Sequence, residues 1–169
     1  MTMHDVPSTI LWEEADSPLG SFLIAGEGAT IVAVSLPGRW AKEDLPAQWA
    51  HEPGAMAPAA RQLDEYFNGT RRSFELAFVP TGTPFQLAVW QALQGIDYGT
   101  TASYRDVATT VGNPKATRAV GLANNRNPIA LFIPCHRVIG ANGSLTGYGG
   151  GLEMKSWLLA HERDVAGAR

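Results

Sequence analysis

The chain has 169 residues, 45% hydrophobic and 17% charged, a composition that suits one globular domain or two small ones sharing an interface. Its single cysteine excludes an internal disulfide and a structural zinc site built mainly from thiolates, and no apolar run approaches the roughly 20 residues of a membrane span. The net charge of −3 hides an asymmetry: residues 1–80 hold five Lys/Arg against eleven Asp/Glu, whereas residues 81–169 hold eight against five.

Residues 1–9 are polar and lack the apolar core of a secretory signal, so a cytoplasmic protein is expected. Short apolar or β-branched segments at 9–13, 20–25 and 30–36, separated by Ser17-Pro18 and by Gly26 and Gly28, predict strands. Residues 45–58 are rich in Pro, Ala and Trp and predict a loop. Leu63, Tyr66 and Phe67 at helical spacing predict a helix over 59–67 that stops at Asn68-Gly69. The alternation of Phe74, Leu76 and Phe78 predicts a strand over 73–79. This half reads as a small sheet with a helix packed on it.

Pro80-Thr81-Gly82 reads as a linker, dividing the chain into 1–80 and 81–169. Thr83 can cap a helix with Pro84 at its first position, ending near Gly95. Ser103 can cap a second helix to about Val111. Gly112-Asn113-Pro114 breaks it, and Asn113 and Pro114 predict a third helix over 114–123. A last helix is expected over 153–162. Ala108 and Gly112 sit four apart, which suits a helix-turn-helix, although a plain αα-hairpin has the same local pattern. Arg105, Lys115, Arg118, Arg126 and Arg137 face only Asp106 between 104 and 137, a segment fit to meet a polyanion.

The apolar run 129–133, a buried strand or extended segment, leads into Pro134-Cys135-His136-Arg137-Val138. A lone cysteine is often a small buried hydrophobe, but polar neighbours follow this one at once. Adjacent side chains do not face one another, so a direct Cys135–His136 pair is disfavoured. A water-bridged relay is easier, with His136 as base and a carboxylate behind it. Glu153, Glu162 and Asp164 are all candidates for that carboxylate, and spacing does not choose among them. Thr146-Gly147-Tyr148-Gly149-Gly150-Gly151 is a glycine loop able to approach a flat ligand closely, and no Gly-Lys-Ser/Thr follows it. The four histidines show no metal-ligand spacing, so neither metal nor cofactor is expected.

These motifs resemble, in order, the O6-alkylguanine-DNA alkyltransferases. Asn113-Pro114-Lys115-Ala116, Arg118-Ala119-Val120-Gly121, Asn127-Pro128, Pro134-Cys135-His136-Arg137-Val138, the glycine loop and Trp157-Leu158-Leu159-Ala160-His161-Glu162 carry the likeness strongly over 83–162. Residues 8–80 match more loosely. The resemblance implies an α+β fold: a small antiparallel, ribonuclease-H-like sheet with a helix, then a helical domain with a helix-turn-helix. It implies a single-turnover methylated-DNA–[protein]-cysteine S-methyltransferase that flips O6-alkylguanine from duplex DNA and takes the alkyl group on Cys135, with O4-alkylthymine as an open second substrate. His136 and Glu162 would form the relay, Asn127 would hold the turn before the active-site segment, and Tyr104 would meet guanine N3. Arg118 would fill the hole left by the base, and Lys115, Thr117, Asn124 and Arg126 would complete the DNA-facing set. The carbonyls of Cys135 and Val138 would accept from the guanine amino group, the Gly149 N–H would donate to O6, and Tyr148 would wall the alkyl pocket. A monomer is expected. Departures from the family pattern include Gly149, where some members have serine, and Ala130, where some have proline. Competing readings are a lesion-binding relative that signals without transfer, a Cys-His hydrolase, and a DNA-binding regulator with an inert cysteine.

Overall fold

The computed structural model describes residues 9–168; residues 1–8, which carry most of the signal-peptide reading, lie outside them. Strands β1 (Leu11–Ser17), β2 (Gly20–Glu27) and β3 (Thr30–Ser35) form an antiparallel meander. Strand alternation puts Phe22 and Ile24 on one face and Leu23 and Ala25 on the other, and both faces are covered. The first face joins the main core, while the second packs with Trp12 and Ala33 under Trp40 and Trp49. Gly26, expected as a separator, lies inside β2 at a bulge where a Cβ would overlap the Thr30 carbonyl oxygen.

The sheet is wider and less purely antiparallel than the sequence suggests. The expected loop over 45–58 contains β4 (Ala50–His51), which pairs in parallel with β1. It also contains the first residues of helix α1 (Ala57–Phe67), where Pro58 is tolerated because an early helical N–H has no intrahelical partner. The strand expected over 73–79 shrinks to β5 (Ala77–Phe78), parallel to β3. The cause is Gln62 of α1, whose amide accepts from the Glu75 N–H at 2.8 Å and donates to its carbonyl at 3.2 Å, taking the bonds a longer strand would need. The sheet order is β4-β1-β2-β3-β5.

Helix α2 (Pro84–Leu93) starts at Thr83, whose hydroxyl accepts from the Gln86 N–H while Gln86 answers the Thr83 N–H. Ser103 and Asp106 cap α3 (Tyr104–Thr110) in the same way, just after β6 (Ala102–Ser103). The third helix of this half, α4 (Thr117–Asn125), begins three residues later than its Asn-Pro signal predicts. Gly112 (φ +82°) turns the chain, the Asn113 N–H bonds Ala108, and the Asn113 carbonyl accepts from Ala116. Those bonds belong to the inter-helix turn, so Lys115 lies in the turn rather than on the helix. After β7 (Val138–Ile139), parallel to β6, helix α5 (Leu152–Gly167) closes the chain.

Residues 129–133 are all buried but do not form a strand. Ile129 makes one parallel bridge beside Val34 of β3, through Val34 N–H to the Pro128 carbonyl (2.8 Å) and Ala130 N–H to the Val34 carbonyl (3.2 Å). The chain then folds back at Leu131, the single non-glycine residue with positive φ (71°) among those described. Phe132 lands edge-on to Phe74 at 4.3 Å and stacks on Phe78. One contiguous core therefore holds Phe22, Leu63 and Tyr66 from the first half and Trp90, Ile129, Val138 and Leu158 from the second.

Because the halves share that core, heat should unfold them together. Far-ultraviolet dichroism and tryptophan fluorescence should give one midpoint, and Phe132→Ala should lower it for both probes at a cost of about 3–5 kcal/mol.

Candidate active site

Cys135, His136 and Arg137 form a single 3-10 turn at the end of the buried segment, and all three are buried. Three residues per turn fan the side chains apart, so neighbours in sequence reach different partners. The Cys135 thiol lies near the Asn127 side chain and the backbone of Leu131. Asn127 also donates to the Ile133 carbonyl (2.8 Å) and accepts from the Ile129 N–H (3.0 Å), tying both ends of the segment. Burial pushes the thiol above its ordinary range, and Asn127, Arg39, Lys155 and Leu131 oppose that shift without cancelling it. The resting sulfur therefore keeps its proton.

His136 and Arg137 converge on Glu162 of α5, which is fully buried. Its Oε1 accepts from His136 Nε2 (2.7 Å), Arg137 Nη2 (2.9 Å) and the Tyr66 hydroxyl (2.9 Å). Its Oε2 accepts from Arg137 Nε (2.9 Å) and, more distantly, from the Gly99 N–H (3.4 Å). Burial alone would raise the carboxyl pKa, but the hydrogen bonds from His136 and Arg137 and the charge of Arg137 outweigh it and hold Glu162 ionised. Glu153 and Asp164 are exposed on the same helix and make no such bond.

Burial lowers the His136 pKa despite Glu162, so the imidazole is neutral. An ionised carboxylate only accepts, so Nε2 carries the imidazole proton and Nδ1 carries the lone pair. That Nδ1 is buried and has no hydrogen-bond partner among the described residues.

The carbonyls beyond the thiol are also fixed. Asn124 Nδ2 donates to the Cys135 carbonyl at 3.1 Å, and Lys155 Nζ donates to those of Val138 and Thr146. The Tyr104 hydroxyl donates to the same Thr146 carbonyl at 2.8 Å. Tyr148 lies at the glycine loop with its hydroxyl buried, and burial, then the nearby sulfur, hold its pKa far above the usual value. Tyr104, Thr117, Arg118 and Gly121 line an open groove with Thr146 and Gly147.

The structure thus brings Cys135, His136, Glu162, Asn127 and Val138 together, with Tyr104 and Tyr148 at the glycine loop and Arg118 beside Tyr104. Lys115, Arg118 and Arg126 are exposed. Asn124 is not: it is 2% exposed and its Nδ2 donates inward to the Cys135 carbonyl, which sets it apart from the exposed DNA-facing candidates. Arg137, counted among the surface cations from sequence, is buried on Glu162 and donates Nη1 to the Ile96 carbonyl. Ala130 is buried with its N–H bonded to β3, so a proline there would remove a bond besides reshaping the pocket. Sequence reasoning missed Tyr66, Lys155 and Arg39. Lys155 was within reach, since Lys155, Leu158 and Glu162 share one helical face.

Residues 10–80 match the family described as 6-O-methylguanine DNA methyltransferase, ribonuclease-like domain, and residues 84–164 match the DNA binding domain of the same name. The chain is 49% identical over 147 residues to a methylated-DNA–protein-cysteine methyltransferase of Methanosarcina acetivorans, covering 87% of this chain and 94% of that one. It is also 49% identical to the Mycobacterium leprae protein of that name, over 88% of this chain and 89% of the other. Its structure is similar to that of Mycobacterium tuberculosis O6-methylguanine methyltransferase, with TM-score 0.87 and 43% identity over 95% and 97% of the two chains. A complex of the M. tuberculosis protein with DNA superposes equally well, over 92% of this chain and 94% of the other.

The pKa shifts set a pH window for stability. The raised thiol contributes stability that is fully present below its ordinary value of 9.0 and lost as pH rises through its folded value. The lowered imidazole contributes stability that is present above 6.5 and lost as pH falls below it. Melting curves should therefore show wild type losing ground to Cys135→Ser above pH 9.0, by up to about 1.4 kcal/mol per pH unit. Glu162→Gln should cost about 3–5 kcal/mol near neutral pH, because it leaves Arg137 buried without its counter-charge.

Proposed function

The chain belongs to the 6-O-methylguanine DNA methyltransferase family, and from that membership we infer that it repairs alkylated DNA by direct reversal, with Cys135 as the acceptor. Its activity is that of a methylated-DNA–[protein]-cysteine S-methyltransferase. The observation that carries the assignment of roles is the buried, unpartnered Nδ1 lone pair of His136, backed by an ionised Glu162.

A thiol kept protonated by burial needs a base at the moment of reaction. In this reading a water hands the Cys135 proton to His136 Nδ1, and Glu162 stabilises the imidazolium that results. Arg137 and Tyr66 hold Glu162 in place. The thiolate attacks the alkyl carbon in line, forming the S–C bond as the C–O6 bond breaks. The electron pair goes to O6, and the displaced guanine recovers one proton, leaving a thioether that water does not hydrolyse. Each chain therefore acts once.

The alkyl carbon sits at the base edge, so the nucleotide must leave the stack. Arg118, exposed at the start of α4, is suited to occupy the space it leaves, while Lys115 and Arg126 meet phosphates. Tyr104, beside Arg118, is the group we assign to guanine N3. The Cys135 carbonyl accepts from Asn124 Nδ2 and from the Val138 N–H, and the Val138 carbonyl accepts from Lys155 Nζ, so the guanine amino group would share these acceptors. Tyr148 and the Gly149 N–H complete the pocket. Every group invoked comes from one chain, in keeping with action as a monomer on duplex DNA carrying O6-alkylguanine.

Mixing the protein with a duplex containing O6-methylguanine should add one methyl group to its intact mass, once per chain, and Cys135→Ser should add none. DNA binding without any mass gain would sink the reading. His136→Gln should slow transfer by about a hundredfold or more. The methylated protein should melt below the free one, because a close-packed site gains a methyl group at a cost of about 1–3 kcal/mol.

A further inference from the structure

Arg39 lies far from the active-site motifs in sequence but touches their frame. It follows β3 on a turn in which Gly38 has φ +75° and the Arg39 N–H bonds the Leu36 carbonyl at 3.1 Å. From there its side chain crosses to the second half, where Nη2 donates to the Asn125 carbonyl at the end of α4 at 2.6 Å. The same guanidinium lies on the face of Gly149: a Cβ built there would overlap Nη1 and sit 2.7 Å from Cζ. The backbone of Gly149 is not in the left-handed region, so its own conformation does not demand glycine. What occupies the side-chain position is Arg39. A Cβ on Gly150 would likewise meet Leu36, from the same turn, at 3.1 Å.

We propose that Arg39 is a positioning residue for alkyl transfer, a strut from the N-terminal half that sets the glycine loop against the end of α4 and directs a positive charge toward the Cys135 pocket. This rests on the transferase reading above. Its planar fork suits the task, because it can bond a carbonyl edge-on while its face packs on a bare Cα. It accounts for the glycine at 149: a side chain there and an arginine at 39 compete for one space. It also gives the N-terminal half a part in the chemistry beyond support. Arg39 is among the cations that draw the buried thiol back toward ionisation.

Two variants remove the strut by different routes. Arg39→Ala deletes it, whereas Gly149→Ser evicts it and keeps the Gly149-position N–H. Each should slow single-turnover methyl transfer at saturating O6-methylguanine duplex by about tenfold, the value of one charge-assisted contact. Combined, they should slow it no more than either alone, because both remove the same contact. The pH profile of Cys135 alkylation by iodoacetamide, which needs no DNA, should shift to higher pH in Arg39→Ala and return toward wild type in Arg39→Lys. A merely structural role would lower the melting temperature without moving that midpoint. If wild type transfers the methyl group and Arg39→Ala matches it in rate and pH profile, the inference is overturned. It is equally overturned if the effects of the two variants multiply. If wild type itself takes up no methyl group, the transferase reading fails instead.

Discussion

The arrangement turns on one buried negative charge. Glu162 sits out of water, where an isolated carboxylate would be costly, and is kept ionised by His136 and Arg137. Its hydrogen-bond partners come from three separate places in the chain: α1 through Tyr66, the loop before β6 through Gly99, and the 3-10 turn through His136 and Arg137. A single side chain thus ties the N-terminal half, the active-site turn and the last helix together. It also dictates the tautomer of the imidazole beside the nucleophile. Stability and chemistry draw on the same interaction, so a change at Glu162 disturbs both.

The thiol is placed by a different constraint. The segment before it cannot continue as a strand, because Leu131 reverses the chain after one bridge to β3. That reversal costs backbone strain of about 1 kcal/mol or more and leaves the Leu131 backbone near the sulfur. Asn127 then closes the loop from the inside. Burial keeps the sulfur protonated until a base acts, which protects a residue that can be used only once.

The reach of the sequence differed between kinds of feature. Strongly local signals were legible: Thr83 and Ser103 each make the cap their position promises, and the β1–β2–β3 meander follows its glycine and proline punctuation. The ordered Pro-Cys-His-Arg motif carried the chemistry. What escaped was set by partners distant in sequence. The strand over 73–79 lost its bonds to Gln62 of another element, and β4 exists only because β1 offers an edge. Arg137 and Asn124 look like surface groups until Glu162 and the Cys135 carbonyl claim them. Arg39 had no local signal, since its meaning lies in the empty side of Gly149.

The central claim is that neutral His136 offers its Nδ1 lone pair to the nucleophile because Glu162 takes the proton on Nε2. Nitrogen-15 spectra of the imidazole in the free protein at neutral pH read this directly. Nε2 should appear protonated and Nδ1 unprotonated, and the pattern should be lost in Glu162→Gln. A proton on Nδ1, whether in the other neutral tautomer or in a resting imidazolium, would contradict the account.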